Sequence, residues 1–138
     1  MTRSLFRTSV CLGLSGMVVG IIMGIRQDFT LVPLHAHLNL LGFVTMFLSA
    51  LYYRVVPEAA ADPLARYHAR ISSIGAFLFP SGVGGVIIGG HDRFQPLVVT
   101  GALTVLLGML LFVVVVFRTT REQRQVPKAA AGRMSGAV

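Results

Sequence analysis

Four long apolar runs, separated by short polar connections, make up most of this chain. They cover residues 8–25, 34–56, 71–90 and 97–117. Each is close to the roughly 20 residues that an α-helix needs to cross about 30 Å of hydrocarbon. None contains Asp, Glu or Lys, and Arg54 lies near the end of the second run, where its side chain can reach the headgroups. The pattern predicts an all-α integral membrane four-helix bundle in residues 1–117, followed by a basic tail in residues 118–138.

The distribution of basic residues predicts the orientation of these helices. The chain carries 12 Lys and Arg against 5 Asp and Glu. All but Arg26 and Arg93 lie before the first run, around the second connection or after the fourth run. The positive-inside rule then places both termini in the cytoplasm and predicts a multi-pass protein of a bacterial-type inner membrane. Because the charges flank apolar runs and form no basic face, no nucleic-acid partner is expected.

Two histidines, His35 and His37, stand at the outer end of the second run, in the stretch HAHLNLLGF of residues 35–43. Imidazole within a membrane is costly without a partner, so such a histidine indicates a functional site. A helix turns about 100° per residue, so the two rings point to opposite flanks and cannot bind one ion together. His35 shares its face with Asn39 and Gly42, and Gly42 is expected to leave a gap beneath the imidazole.

A ring nitrogen, a gap and apolar walls are the features that haem requires. Arg26 and Arg93 lie in the two outer connections, where their guanidinium groups suit propionate carboxylates. The predicted cofactor site therefore consists of His35, His37, Asn39, Gly42, Arg26 and Arg93. Two alternatives stay open. One is a copper- or zinc-handling membrane protein that binds metal through His35, His37 and His91, and the other is a cofactor-free membrane subunit or assembly factor.

Other residues are interpreted as structural. Gly16, Gly20 and Gly24 recur every four residues and predict close packing of the first helix against a neighbour. Pro80 predicts a kink within the third helix. His68 is interpreted as a surface residue on the cytoplasmic side.

The stretch of residues 35–42 resembles helix segments of the haem-copper oxidase superfamily, including nitric oxide reductases and cytochrome oxidase subunit I. In that family three arcs of four helices form a ring, and one second helix carries a His-x-His whose rings bind different haems. The resemblance implies that this chain is one such arc and that three copies rebuild the ring. His35 of one protomer and His37 of a neighbour would then bind one haem b at each interface of a homotrimer.

The chain also departs from that family. It has no adjacent His-His pair and no third nearby helical histidine for a copper site, and none of its four runs contains a carboxylate. Gas reduction and proton pumping are therefore not expected, and two axial imidazoles leave no open position on iron. The expected function is electron transfer or redox response by a non-catalytic haem b protein, with a quinol or a cytochrome as its redox partner.

Overall fold

The computed structural model of the chain describes the backbone of residues 1–135 and the side chains of residues 1–121, and it contains no strand over that range. Its elements are α1 (Thr2–Arg26), α2 (Val32–His37), a π-helical stretch (Leu38–Thr45), α3 (Met46–Val55), α4 (Pro57–Ala61), α5 (Pro63–Gly89) and α6 (His91–Ser135). The elements α2, the π-helical stretch and α3 follow one another directly, and we call this rod, Val32–Val55, the second span. The predicted all-α fold class is confirmed over the described range.

Among the described residues, four helices are long and apolar enough to cross a membrane, as the four apolar runs predict. They are Thr2–Arg26, Val32–Val55, Pro63–Gly89 and His91–Arg121. Several ends differ from the prediction, because the first helix begins at residue 2 and the third at residue 63. The helix α6 continues past residue 117 to Ser135, and the division into a four-helix domain and a basic tail stays a prediction.

The start of α5 is specified locally. Asp62 has an extended backbone, its carboxylate accepts a hydrogen bond from the Leu64 amide at 2.8 Å, and Pro63 occupies the first helical position. An N-cap of this kind satisfies an orphan amide and is typically worth about 1 kcal/mol. The Asp62 carboxylate also lies 3.6 Å from Arg118 of α6, which joins this helix start to the last helix. Pro80 lies inside α5 without ending the helix.

Small residues allow the helices to pack closely in two pairs. Along α5 and α6, a Cβ added at Gly101 would stand 2.7 Å from the Phe79 backbone, and one at Gly108 would stand 2.6 Å from the Ser72 hydroxyl. Along α1 and the second span, glycines of α1 contact side chains of the second span. Close backbone approach of this kind is how helices associate in lipid, where apolar burial gives little driving force.

The outward faces of the helices are strongly apolar. Large exposed hydrophobic side chains follow one another at helical spacing on every span, such as Leu14, Val18 and Ile21 on α1 and Leu40, Val44 and Leu48 on the second span. A water-soluble monomer rarely exposes contiguous apolar surface of this extent. The surface is therefore compatible with contact to a lipid bilayer.

Candidate histidine site on the second span

His35 lies near the start of the second span and faces α1. Its Nδ1 is 2.8 Å from the carbonyl oxygen of Gly16. A carbonyl only accepts hydrogen bonds, so Nδ1 carries the proton and Nε2 keeps the lone pair. The His35 ring packs directly against Gly20 of α1, because a Cβ at position 20 would stand 2.7 Å from the His35 Cε1 atom.

His37 lies on the opposite flank of the same rod and faces α5. Its Nδ1 is 2.6 Å from the carbonyl oxygen of Pro33, one turn earlier on the same helix. By the same argument His37 donates through Nδ1, which leaves Nε2 as the basic nitrogen. The ring meets Phe79 of α5 edge to face, with ring centroids 4.7 Å apart. The divergence expected from the helical rotation is therefore present.

Asn39 connects His35 to the second span. Its amide nitrogen donates to the carbonyl oxygen of His35 at 2.8 Å and lies 3.4 Å from the His35 Nδ1. Asn39 also lies against Gly16, so the amide and the imidazole share one small-residue surface of α1. This arrangement fixes the position of the His35 backbone as well as that of its ring.

Gly42 does not supply the gap that the sequence predicts beneath the His35 ring. The space beside Gly42 is filled by Leu12 of α1, whose Cβ would stand 2.9 Å from an added Cβ. The small residue that makes room for the His35 ring is Gly20, on the neighbouring helix. Side-chain rotation along one helix does not determine which neighbouring helix leaves space for the ring, and here the space lies on α1.

The other predicted outer residues lie near the helix ends at the same end of the molecule as the two histidines. Arg26 ends α1, His91 begins α6, and Arg93 lies in the first turn of α6, with all three exposed. The Arg93 guanidinium stands 5.6 Å from the centre of the Phe94 ring. Residues 1–121 contain no group of three His, Cys, Asp or Glu side chains that could hold a metal ion. The described residues thus do not bring His35, His37 and His91 together as one group.

A buried Tyr53–His68 pair occupies the other end of the molecule and was missed by sequence reasoning. Tyr53 Oη and His68 Nδ1 are 3.0 Å apart, and the two residues are only 2% and 3% exposed. The His68 ring stacks on Phe112 of α6 at 5.0 Å. The interpretation of His68 as a surface residue is wrong, because α5 turns this side chain towards the second span and α6. The sequence did carry a signal for the burial of His68. Small residues at positions 65, 69 and 72 share its face of the helix, and such a face packs against a neighbouring helix.

A cavity of about 210 Å³ adjoins this pair at the centre of the four helices. Thr45, Ser49 and Ser72 line it together with His68 and apolar residues. Tyr53 engages Nδ1 of His68 at 3.0 Å, so this hydrogen bond orients the imidazole that lines the cavity.

Comparison of the chain with protein-family models, with curated proteins and with solved structures returned no match. The resemblance to the haem-copper oxidase superfamily therefore stays a prediction that depends on the sequence motif around His35 and on the four-helix arrangement.

Proposed function

We propose that this protein binds haem b between protomers through His35 and His37 and serves electron transfer or redox response. The observation that carries the proposal is the hydrogen bonding of the two rings. In both, Nδ1 donates to a backbone carbonyl, and Nε2 is the basic nitrogen. Histidines that bind metal or haem iron characteristically donate their other ring nitrogen in this way, which fixes the tautomer and the ring orientation.

The placement of the two rings on opposite flanks supports an oligomer. His35 faces α1 and His37 faces α5, so one protomer cannot bring both Nε2 atoms to a single iron. Leu40, Val44 and Leu48 form an exposed ridge on the second span. A head-to-tail ring would cover such a surface and pair each His35 with the His37 of a neighbour, and rings of this kind close when the rotation permits. The proposed assembly is a homotrimer.

The remaining residues of the proposed site hold and orient the cofactor. Arg26 and Arg93 lie at the same end of the molecule as the two histidines, and their guanidinium groups suit propionates. Haem with two axial imidazoles exchanges single electrons without binding a further ligand. The proposal places this end on the outer face of a bacterial-type inner membrane, both termini in the cytoplasm, and a quinol or a cytochrome as the partner.

A reduced-minus-oxidised absorbance spectrum of the purified protein tests the proposal. His35→Ala and His37→Ala should each abolish the spectrum of six-coordinate haem b. His91→Ala is the matched control, because His91 is an exposed histidine at the same end, and it should leave the spectrum unchanged. Colourless protein with stoichiometric copper or zinc would instead favour metal handling, and protein with neither would favour a cofactor-free subunit.

Co-expression of the His35→Ala and His37→Ala chains tests whether each haem site is shared between two protomers. An interface is complete when a His37→Ala chain supplies His35 and a His35→Ala chain supplies His37. Random assembly of equal amounts gives this arrangement at about one quarter of the interfaces of a heterologous ring. Recovery of about that fraction of the wild-type spectrum is expected, and no recovery would contradict shared sites.

A further inference from the structure

A groove between α1 and α5 lies at the end of the molecule opposite His35 and His37. Its volume is about 520 Å³. Ser4 and Leu5 of α1 form one wall, and the other wall consists of side chains from the first turns of α5, namely Arg66, Arg70, Ser73 and Ile74. None of these residues belongs to the proposed haem site, so the groove calls for a separate explanation.

The polar part of the groove is positively charged and unneutralised. Arg66 and Arg70 are one turn apart on the same face of α5, and both side chains are exposed. Within residues 1–121 the one ion pair joins Arg118 to Asp62, and no carboxylate lines this groove. Two guanidinium groups one turn apart form a surface that suits phosphate, since arginine binds phosphate oxygens through parallel N–H donors.

The other part of the groove is apolar and points along the span. Leu5 and Ala69 line it, and Ile74 is exposed one turn beyond Arg70. Four residues of helix advance about 6 Å along the axis, so the surface changes from guanidinium to hydrocarbon within one turn. A soluble anion would use only the charged part, whereas a molecule with a phosphate head and an acyl chain would use both.

We propose that this groove binds an anionic phospholipid, with its phosphate on Arg66 and Arg70 and an acyl chain along Ile74. Basic pockets between membrane-spanning helices are suited to acidic headgroups, and each arginine near a membrane surface contributes about a five-fold gain in affinity. The zwitterionic headgroup of phosphatidylcholine adds a trimethylammonium group and lacks the net charge that the groove selects. The site is independent of haem and of the oligomeric state.

Lipid retention by the purified protein tests the proposal. The protein is placed in nanodiscs of phosphatidylcholine with a minor fraction of phosphatidylglycerol, and retained lipids are counted by native mass spectrometry. The groove variant is Arg66→Gln with Arg70→Gln. The control is Arg54→Gln with Arg121→Gln, which removes the same charge from exposed residues at the same end but outside the groove. Helicity is measured by circular dichroism for both variants. It should be unchanged, because all four substituted side chains are exposed.

The groove variant should lose about 25-fold in preference for phosphatidylglycerol, the product of two five-fold effects, and the control should change less than two-fold. Equal losses in both variants would overturn the proposal in favour of diffuse attraction to the basic end. Displacement of the lipid by millimolar inorganic phosphate would overturn the assignment to a phospholipid, because the groove would then take a soluble anion. Equal retention of phosphatidylcholine by the unmodified protein would overturn the proposal as well.

Discussion

Substitution of Gly20 by Ala tests the packing of His35 on α1. A Cβ at position 20 would stand 2.7 Å from Cε1 and 3.0 Å from Nδ1 of the imidazole. Carbon atoms pack best about 3.5–4.0 Å apart, so the ring has to move. Because Nδ1 donates to the Gly16 carbonyl, movement of the ring also weakens that hydrogen bond. Overpacking of this kind costs about 1–3 kcal/mol of unfolding free energy.

Gly24→Ala supplies a matched control on the same face of the same helix. An added Cβ at position 24 meets no atom within 4 Å. Both substitutions replace a helical Gly by Ala, so the gain in helix propensity, about 1 kcal/mol, enters both variants and cancels in their difference. We therefore expect Gly20→Ala to unfold with a free energy about 1–3 kcal/mol below that of Gly24→Ala.

The assay is chemical unfolding of the cofactor-free protein in mixed micelles, followed by far-UV circular dichroism. Use of the cofactor-free protein separates the packing of His35 from haem binding, so the two hypotheses are tested independently. If the two variants unfold within about 0.5 kcal/mol of each other, as surface substitutions do, His35 does not lie against α1. The hydrogen bond from His35 Nδ1 to the Gly16 carbonyl would then no longer support haem binding by His35.

Two further predictions concern polar groups outside this packing surface. Tyr53→Phe leaves the buried His68 ring without its hydrogen-bond partner and should lower the unfolding free energy by about 1–3 kcal/mol. The control Tyr52→Phe should change it by less than about 0.5 kcal/mol, and equal losses in the two variants would exclude the Tyr53–His68 hydrogen bond. The hydroxyl and then the backbone amide of Thr30 donate to Asp28 and lower the pKa of that carboxyl. This interaction stabilises the fold above the ordinary carboxyl pKa and is lost as the pH falls through the lowered value. Thr30→Val should raise the Asp28 pKa in an NMR titration, and an unchanged pKa would contradict the assignment.

The four spans could be predicted from the sequence because each depends on a local property, an uncharged apolar run of sufficient length. Their ends could not be read from hydropathy. The helices α1 and α5 begin well before their apolar runs, at Thr2 and Pro63. Arginine is a good helix former, so a helix continues past the hydrocarbon edge until a cap or a proline sets its start.

The tertiary partners of the polar residues could not be predicted in this way. The 100° rotation per residue correctly separated His35 from His37, since it is a property of one helix. The residue of another helix that lies beside each ring depends on the register in which the helices pack. The pattern of apolar residues does not determine that register. The gap expected at Gly42 was therefore filled by Leu12, and His68 paired with Tyr53 instead of facing solvent.

The π-helical stretch explains how one flank of the second span stays on α1 over about two turns. His35, Asn39 and Phe43 lie four residues apart and contact Gly20, Gly16 and Gly13 in turn, and in an α-helix each step of four residues rotates the side chain about 40° too far. The π-helix has more residues per turn, because its hydrogen bonds run from i to i+5, and so reverses this drift. The stretch from Leu38 to Thr45 begins directly after His37, and the Thr45 hydroxyl donates to the Leu40 carbonyl five residues earlier at 2.8 Å. The widened turns thus keep Asn39 and Phe43 on the glycine face of α1, and Asn39 in turn holds the His35 backbone through its hydrogen bond to the His35 carbonyl oxygen.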